Sequence, residues 1–186
     1  INFSQEKSEP DSLKNISLSG LSFRSIGPSV TGGRVVDIAV NPFNYSEYYV
    51  ASGHGSLWKT TNSGVTFSPV FDANKSYAIG CIKIDPTNTN VVWVGTGENN
   101  NQNNVIFGDG IYKTEDGGKT WNNMGLKESH QIGGIAIDPT NSNIVYASAY
   151  GSSRVSGGDR GIYKTTDGGK TWENVLKISE FTGCYQ

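Results

Sequence analysis

Three carboxylate side chains of this sequence could act as proton donors or acceptors in catalysis. Glu98, Asp109 and Asp159 lie in or beside glycine-containing segments that separate runs of β-branched and aromatic residues. A carboxyl group acts as a general acid or base only where it can reach the reacting atoms. The elements that carry these residues therefore decide whether two carboxyl groups can meet.

Arg34, His54 and His130 are the other polar residues predicted to contact a ligand or a partner. Either histidine could be a metal ligand, but two histidines without nearby cysteines or a shared carboxylate motif match no standard spacing of a zinc site. The alternative is that both are exposed loop residues. Gly95 and Gly97 end a predicted strand and do not open a helix, so no nucleotide-binding loop is indicated. We predict no metal and no cofactor.

Composition and charge restrict the class of protein. The 186 residues contain 15 lysines and arginines against 17 aspartates and glutamates, without the basic excess of a nucleic-acid-binding protein. We find no apolar run of about 18 residues, so no membrane span is predicted. With 24 glycines, 11% aromatic and only 17% charged residues, the composition favours a turn-rich β protein. Two cysteines are too few for a disulfide framework.

An internal repeat determines the predicted fold. The segment 111–121 recurs almost letter for letter at 162–172, and a weaker copy occupies residues 57–67. Asp116 and Asp167 stand at the centre of the two full copies, where the weaker copy has Asn62. A second repeated element, with an Asp-Pro or Asn-Pro pair, precedes each copy at residues 38–42, 82–88 and 135–141.

Each repeat is predicted to form four short β-strands. Pro beside Asp or Asn favours a turn after the first strand, and Asp-Gly-Gly supplies the positive φ angles of a tight hairpin between the third and fourth strands. Four strands in each repeat of about 50 residues are typical of a β-propeller blade. No sustained 3.6-residue periodicity supports a helical solenoid. We therefore predict an all-β fold, a β-propeller of four-stranded blades.

The predicted boundaries describe an incomplete ring. The expected parts are an irregular N-terminal leader segment (1–22), a fourth strand that closes the last blade (23–28), blade 1 (about 32–71), blade 2 (77–126), blade 3 (130–177) and the start of blade 4 (181–186). Since a ring usually holds 4–8 blades, we expect the remainder of the same polypeptide to complete it. The alternative is a small domain that closes by oligomerising.

Residues 114–121 and 165–172 fit the pattern Ser/Thr-x-Asp-x-Gly-x-Thr-Trp. This pattern is the Asp-box, and the sequence resembles the Asp-box (BNR-repeat) propellers, which include sialidases, xyloglucanase-type glycoside hydrolases and sortilin-like receptor domains. It is most similar to the sortilin-type propellers of large secreted bacterial proteins, through residues 31–35, 55–62 and 94–98. The resemblance covers about residues 23–185. It implies a secreted or cell-surface protein, on the bacterial outer surface or in the periplasm.

The repeated box is predicted to be structural. Its Asp can accept hydrogen bonds from the backbone amides of its own turn, and its Trp can pack between neighbouring sheets. The residues assigned this role are Asn62, Asp116, Trp121, Asp167 and Trp172.

Contacts with a ligand or partner are expected on the face opposite the boxes. The two insertions, at about residues 98–109 and 151–160, both fall between the second and third strands of a blade, and insertions grouped on one face usually mark a binding face. We interpret the chain as an exported binding or interaction module whose partner is a protein or a glycan. The predicted contacts are Arg34, His54, Glu98, Asp109 and His130. Drift in a tolerant region, or packing against another domain, would also explain the insertions.

A glycoside hydrolase acting on a polysaccharide is the alternative function. The resemblance to xyloglucanase-type enzymes implies a catalytic Asp at the end of the second strand of a first blade, where this sequence has Gly53. A sialidase would carry an arginine cluster and an Arg-Ile-Pro segment, which the segment 23–28 with Arg24 imitates only loosely. Both departures favour binding over hydrolysis.

Overall fold

The computed structural model describes residues 33–98 and 106–185, and nearly all of their regular structure is β. Blade 1 contains β1 (Val35–Val40), β2 (Tyr48–Ser52), β3 (Leu57–Thr60) and β4 (Ser68–Pro69). Blade 2 contains β5 (Ile79–Ile84), β6 (Val92–Thr96), β7 (Ile111–Thr114) and β8 (Asn122–Asn123). Blade 3 contains β9 (Ile132–Ile137), β10 (Val145–Ala149), β11 (Gly161–Thr165) and β12 (Glu173–Leu176). Each blade is an antiparallel sheet whose strands follow the order of the chain.

The turn after the first strand of a blade forms because an Asp side chain satisfies its backbone amides. In blade 2, Asp85 Oδ1 accepts hydrogen bonds from the amides of Thr87 at 2.8 Å and Asn88 at 3.3 Å. In blade 3, Asp138 Oδ1 accepts one from the Thr140 amide at 2.8 Å. Such turns need no contact with the rest of the molecule, which explains why the Asp-Pro pair marks them in the sequence.

The hairpin between the third and fourth strands is held by the central side chain of the box. Asp116 accepts hydrogen bonds from the Thr120 hydroxyl at 2.7 Å and from the amides of Lys119 and Thr120, both at 2.9 Å. The Thr120 hydroxyl is the main reason that the pKa of Asp116 lies well below its usual range. A carboxylate with a lowered pKa stabilises the folded state above its unfolded pKa, and this stability is lost only as the pH falls through the lowered value.

The other two boxes use the same arrangement. Asp167 accepts hydrogen bonds from the hydroxyl and the amide of Thr171, at 2.7 and 3.0 Å. In blade 1, Asn62 Oδ1 accepts the Thr66 amide at 2.9 Å, and its Nδ2 donates to the Thr66 hydroxyl at 2.8 Å. An amide can therefore replace the carboxylate, because it supplies both an acceptor and a donor to the turn.

The hydrophobic core lies between the blades. One cluster joins blades 1 and 2, and its largest buried side chains are Tyr49, Leu57, Phe71, Ile79, Ile82, Val92 and Val94. The other joins blades 2 and 3 and includes Trp93, Ile111, Leu126, Ile132, Ile135 and Val145. Trp121 packs against the first cluster and Trp172 against the second, so each full box tryptophan lies between two blades.

These sheets confirm the predicted all-β class and the four-stranded blades. β5 begins at Ile79, which pairs with Thr96 of β6. Three segments lie outside the described residues: the leader segment 1–22, the closing strand 23–28 with Arg24, and the asparagine-rich run 99–104. Residues 181–185, predicted to begin another blade, form no strand, although the Cys184 amide donates to the Ala149 carbonyl at 3.0 Å. Within the described segments, no helix is long and apolar enough to cross a membrane.

Both cysteines are free, and they differ in exposure. The sequence predicts free thiols because Cys81 and Cys184 stand at the same place in repeats that are two apart, beyond the Cα separation of a disulfide. Cys81 is buried, with its Sγ 3.6 Å from the Ile132 carbonyl oxygen. Burial, and then the nearby Asp37, raises the pKa of the Cys81 thiol to about 12. Cys184 is partly exposed.

Cys184 is expected to react with iodoacetamide at pH 8 at least roughly tenfold faster than Cys81. The thiolate is the reacting form, and burial keeps Cys81 protonated and out of reach. The rates follow from mass spectrometry of peptides from the folded protein, and Cys184→Ser should remove the fast phase. A reaction of Cys81 as fast as that of a small exposed thiol would contradict its burial.

Candidate functional site

One end of the blades collects the longer connections, and we call it the loop face. It is formed by the β2–β3, β6–β7 and β10–β11 connections and by the residues that lead into β1, β5 and β9. The boxes lie at the opposite end because antiparallel strands reverse direction at every turn. Of the sequence-predicted contacts, all five precede or follow a strand at the loop face: Arg34, His54, Glu98, Asp109 and His130.

Glu98 is the centre of a charged cluster on the loop face. Glu98 follows β6 of blade 2 and is buried, with 4% of the residue exposed. Arg34, which leads into β1, places Nη1 3.3 Å from Glu98 Oε1, and His54, which follows β2, places Nε2 3.0 Å from Oε2. The structure thus brings together three of the five predicted contacts across the boundary between blades 1 and 2.

The two partners of Glu98 remain accessible. The side chains of Arg34 and His54 are 40% and 31% exposed, against 5% for the Glu98 side chain. A buried carboxylate is costly unless it is paired, so the ion pair with Arg34 and the contact with His54 hold Glu98 in place, and Glu98 in turn orients both side chains. Arg34 has five N–H donors, and those not used by Glu98 can donate to a ligand. The cluster therefore presents oriented hydrogen-bond donors at the surface.

Gly53 lies directly against this cluster. A Cβ atom added at Gly53 would stand 3.3 Å from Glu98 Oε1 and 3.3 Å from Val36 Cγ1. A side chain at this position would press on the Glu98 carboxylate and on Val36, which would have to shift by a few tenths of an ångström. The position at which the resemblance implies a catalytic Asp therefore borders Glu98.

Asp109 is half-buried and makes hydrogen bonds within blade 2. Its Oδ2 accepts a hydrogen bond from the Tyr112 hydroxyl at 2.6 Å, and its amide donates to the Thr96 hydroxyl at 2.9 Å. Burial, and then the bond to Asp109, raises the pKa of Tyr112 to about 12. Asp159 has a similar role in blade 3, where it accepts from the Tyr163 hydroxyl at 3.3 Å and from the Glu128 amide at 3.1 Å.

His130 makes a contact separate from the Glu98 cluster. Its ring meets Phe107 edge-on at a centroid distance of 4.8 Å, and its carbonyl accepts the Gly108 amide at 2.7 Å. It therefore fixes the β6–β7 connection against the start of blade 3. In the described part of the chain, no three His, Cys, Asp or Glu side chains are grouped so that they could hold a metal ion.

A groove of about 570 Å³ lies beside β1, β5 and β9, the first strands of the three blades. Arg34, Asp37 and Lys83 are among its lining residues. Asp37 Oδ2 accepts the Ile82 amide at 3.0 Å and so ties β1 to β5. Arg34 lines this groove and also contacts Glu98, so the groove begins at the loop face.

Arg160 organises the β10–β11 connection, and the sequence analysis missed it. Its guanidinium is buried and donates to the carbonyls of Tyr150 and Gly157, both at 2.9 Å, and also to those of Ser152 and Val155. The loop 151–159 thus folds around one side chain while its tip, residues 153–156, stays exposed. Gly151 packs against this side chain, since an added Cβ there would come within 2.6 Å of the Arg160 side chain.

Arg160→Ala is expected to lower the free energy of unfolding by roughly 3 kcal/mol, since hydrogen bonds to a charged group are lost and several carbonyls lose their partner. Urea denaturation measures the change, and hydrogen exchange should become faster in residues 151–159. Ser153→Ala, at the exposed tip of the same loop, is the control and should change neither quantity. An Arg160→Ala protein with unchanged exchange in this loop would contradict the role given to Arg160.

The curated relatives of this chain are xyloglucanases by name. No family model matches the sequence. "Xyloglucanase" of Hypocrea jecorina (strain QM6a) is 28% identical over 188 residues, which cover 94% of this chain and 20% of that protein. "Probable oligoxyloglucan-reducing end-specific xyloglucanase" of Neosartorya fischeri is 24% identical over 159 residues, 74% of this chain and 17% of that protein. The chain thus spans about a fifth of the length of these relatives.

The solved structures with a similar fold include GH74 enzymes and the protein YCF48. An ancestral GH74 enzyme has a TM-score of 0.62 at 23% identity, over 79% of this chain and 19% of its own. The GH74 enzyme of Niastella koreensis has a TM-score of 0.59 at 23% identity, over 80% and 23%. YCF48 from Cyanidioschyzon merolae has a TM-score of 0.52 at 19% identity, over 82% and 42%.

These similarities establish the β-propeller fold but do not establish the resemblance to sortilin-type propellers. The structural neighbours are β-propellers, so the predicted propeller is confirmed. The relatives and neighbours named above are xyloglucanases, GH74 enzymes and YCF48 rather than sortilin-type proteins, and the sortilin-type resemblance stays a prediction. The described residues of this chain form three blades of a β-propeller.

Proposed function

We propose that the protein is a glycoside hydrolase of the xyloglucanase type and that this chain supplies part of its polysaccharide-binding surface. The observation that carries the proposal is the 28% identity to a xyloglucanase over 94% of the chain. The alternative function from the sequence analysis thereby becomes the preferred one.

The loop face provides the binding groups. A polysaccharide offers hydroxyl groups as acceptors and donors, and Arg34 and His54 are exposed, oriented partners for them. Glu98 acts as a positioning residue, because its carboxylate is buried behind both of these side chains. The β10–β11 loop, fixed by Arg160, forms a second wall of the same face.

The catalytic carboxyl groups are proposed to lie outside the described residues. Among these residues, the three carboxylates singled out by the sequence are each engaged within the protein, since Glu98 contacts Arg34 and His54, Asp109 accepts from Tyr112, and Asp159 accepts from Tyr163. Hydrolysis needs an acid and a base or nucleophile free to reach the glycosidic oxygen and the anomeric carbon. We propose that the remainder of the same polypeptide supplies them.

The proposed location is outside the cell. A polysaccharide outside the cell is too large and too polar to cross a membrane, so an enzyme that shortens it acts outside the cell. This agrees with the exported protein expected from the sequence, while the bacterial surface or periplasm remains part of that expectation.

A binding module without hydrolytic activity is the second candidate. The engagement of all three carboxylates described above favours it. It uses the same loop face and the same Arg34–Glu98–His54 cluster, with a glycan as the partner.

Hydrolysis assays distinguish the two candidates. The protein, expressed with the sequence that flanks this chain, is incubated with xyloglucan and with an unbranched β-1,4-glucan, and new reducing ends are measured. The proposed enzyme releases oligosaccharides from xyloglucan much faster than from the unbranched glucan. Binding of xyloglucan without any release would instead establish the binding module, and the absence of both would contradict the two candidates.

A further inference from the structure

Blade 1 has exposed apolar side chains at its end opposite the loop face. They stand on residues 41–46 of the β1–β2 connection and on residues 61–67 of the β3–β4 hairpin, and we call these two segments the blade 1 tip. Phe43, Tyr45 and Val65 are 77%, 79% and 80% exposed. Exposed apolar residues that are grouped, rather than scattered singly, mark a place of interaction.

The other two blades have polar residues at the same positions. Where blade 1 has an exposed apolar residue, blades 2 and 3 have a threonine, a serine or a lysine. The corresponding residues are Thr87, Thr89 and Lys119 in blade 2 and Thr140, Ser142 and Lys170 in blade 3. The turns therefore fold with polar residues at these positions, and the apolar residues of blade 1 are not required by the fold.

A neighbouring blade would leave the centre of this surface uncovered. Blade 2 packs against a blade on each side, and its residues at the positions of Phe43 and Val65 are nevertheless exposed. Tyr45 differs, because the Ser142 hydroxyl at its position in blade 3 lies 2.8 Å from Thr87 Oγ1 of blade 2. Phe43 and Val65 are therefore the centre of the surface, and Tyr45 lies at its edge.

Hydrogen bonds within the blade 1 tip hold its two segments together. The Phe43 amide donates to Asn41 Oδ1 at 3.0 Å, and the Ser63 amide donates to the Ser46 carbonyl at 2.9 Å. The hydroxyls of Ser46 and Ser63 lie 3.1 Å apart. A partner would therefore meet a preformed surface, and binding would cost little ordering of the backbone.

The blade 1 tip also differs from the other turns in charge. Residues 41–46 and 61–67 contain no Asp, Glu, Lys or Arg, and asparagine stands in both segments where the other blades have the turn Asp. Glu47 and Lys59, which flank the tip in the sequence, pair with each other at 2.6 Å. A surface of apolar side chains, amides and hydroxyls without charge is complementary to an uncharged partner.

We propose that the blade 1 tip is a second glycan-binding surface, which takes a neutral polysaccharide. The face of an aromatic ring is electronegative and attracts the C–H groups of a sugar ring, so Phe43 and Tyr45 would stack against pyranose rings. The Asn44 side chain can donate hydrogen bonds to sugar hydroxyls. The surface lies at the end opposite the loop face, and it rests on the proposed function only for the identity of the glycan, xyloglucan.

The size of the surface favours a glycan over a protein. An aromatic side chain offers about 150–250 Å² when fully exposed, so Phe43 and Tyr45 together provide about 300 Å². A stable protein interface takes about 800 Å² from each partner. A second copy of this chain or another protein would need further apolar area, and the corresponding positions of blades 2 and 3 are polar. A few sugar rings match the available area.

Affinity electrophoresis in gels that contain xyloglucan tests the surface in the protein expressed with its flanking sequence. The double variant with Phe43→Thr and Val65→Lys has the residues of blade 2 at the tip. Lys170→Thr, at the position of Val65 in blade 3, is the matched control. We expect the double variant to bind xyloglucan at least about fivefold more weakly, and the control to bind normally. Unchanged binding by the double variant overturns the proposal.

Glu98→Gln separates this surface from the loop face in the same gels. If the blade 1 tip binds glycan and the loop face does not, the double variant loses affinity and Glu98→Gln keeps it. Loss of affinity with each of them supports both surfaces. Loss with Glu98→Gln alone overturns the present proposal and leaves the proposed function intact.

Hydroxyl-radical footprinting of the unsubstituted protein keeps the test valid if the double variant folds poorly. We expect Phe43 to be oxidised readily in the free protein and to be protected when xyloglucan is added. Polygalacturonate, an acidic polysaccharide, should give no protection. Phe43 that is already protected without glycan, by a second copy or by another segment of the polypeptide, overturns the proposal. Oxidation that xyloglucan leaves unchanged, or that polygalacturonate slows equally, overturns it as well.

Discussion

Trp121→Ala is expected to lower the free energy of unfolding by about 3 kcal/mol, at the lower end of the range for large aromatic residues in a core. The indole packs edge-on against Phe71 at a centroid distance of 5.2 Å and donates to the Val70 carbonyl at 2.7 Å. Its removal leaves a cavity between blades 1 and 2 and an acceptor without its donor. Chemical denaturation followed by tryptophan fluorescence and circular dichroism measures the loss.

Trp121→Phe is the control that separates packing from hydrogen bonding. It keeps an aromatic ring between the blades, as Phe67 does in the weaker box, and removes the N–H group, so a loss of about 1 kcal/mol is expected. Asp116→Ala should also cost less than Trp121→Ala because it acts on an exposed turn. A Trp121→Ala protein as stable as the unsubstituted one would contradict the placement of the core between the blades.

Glu98→Gln is expected to weaken the binding of xyloglucan oligosaccharides roughly tenfold, which corresponds to about 1.4 kcal/mol. The amide cannot hold Arg34 and His54 as the carboxylate does, at 3.3 and 3.0 Å, so both donors lose their orientation. In the hydrolysis assay the same change should raise KM and leave kcat nearly unaltered. Calorimetry and initial-rate kinetics measure the two effects.

Glu115→Gln is the matched control for this substitution. Glu115 is also paired with a cation, Lys113 at 2.7 Å, but it lies in the box of blade 2 and its side chain is 68% exposed. Its replacement should leave affinity, KM and kcat unchanged. A Glu98→Gln protein with a greatly lowered kcat and an unaltered KM would show that Glu98 is a catalytic residue and not a positioning residue.

Most of the fold could be predicted because its signals are local. The Asp-Pro and Asp-Gly-Gly turns satisfy their own amides, so residues such as Asp138 and Asp116 mark the turns wherever they occur. The repeat then gives four strands for each blade. The register within a blade was less predictable: Ile79 joins β5 by pairing with Thr96, a contact that no turn signal indicates.

The sequence predicted where the site residues lie better than it predicted the contacts that they make. Topology placed Arg34, His54 and Glu98 on one face, but the contacts of Glu98 with Arg34 and His54 cross from blade 2 to blade 1 and depend on tertiary packing. Asp109 was predicted to contact a ligand because of its place on the same face, and the structure adds a structural role, in which Asp109 accepts a hydrogen bond from the Tyr112 hydroxyl. The pairs Asp109–Tyr112 and Asp159–Tyr163, in two blades, contained a signal of that structural role.

A crystal structure of the protein with a bound xyloglucan oligosaccharide tests whether the loop face binds the polysaccharide. We expect the sugar to lie on the loop face, within hydrogen-bonding distance of Arg34 and His54, with Glu98 still paired behind them. An oligosaccharide bound instead on the box hairpins of Asp116 and Asp167, with the Arg34–Glu98–His54 cluster exposed to solvent, would contradict it.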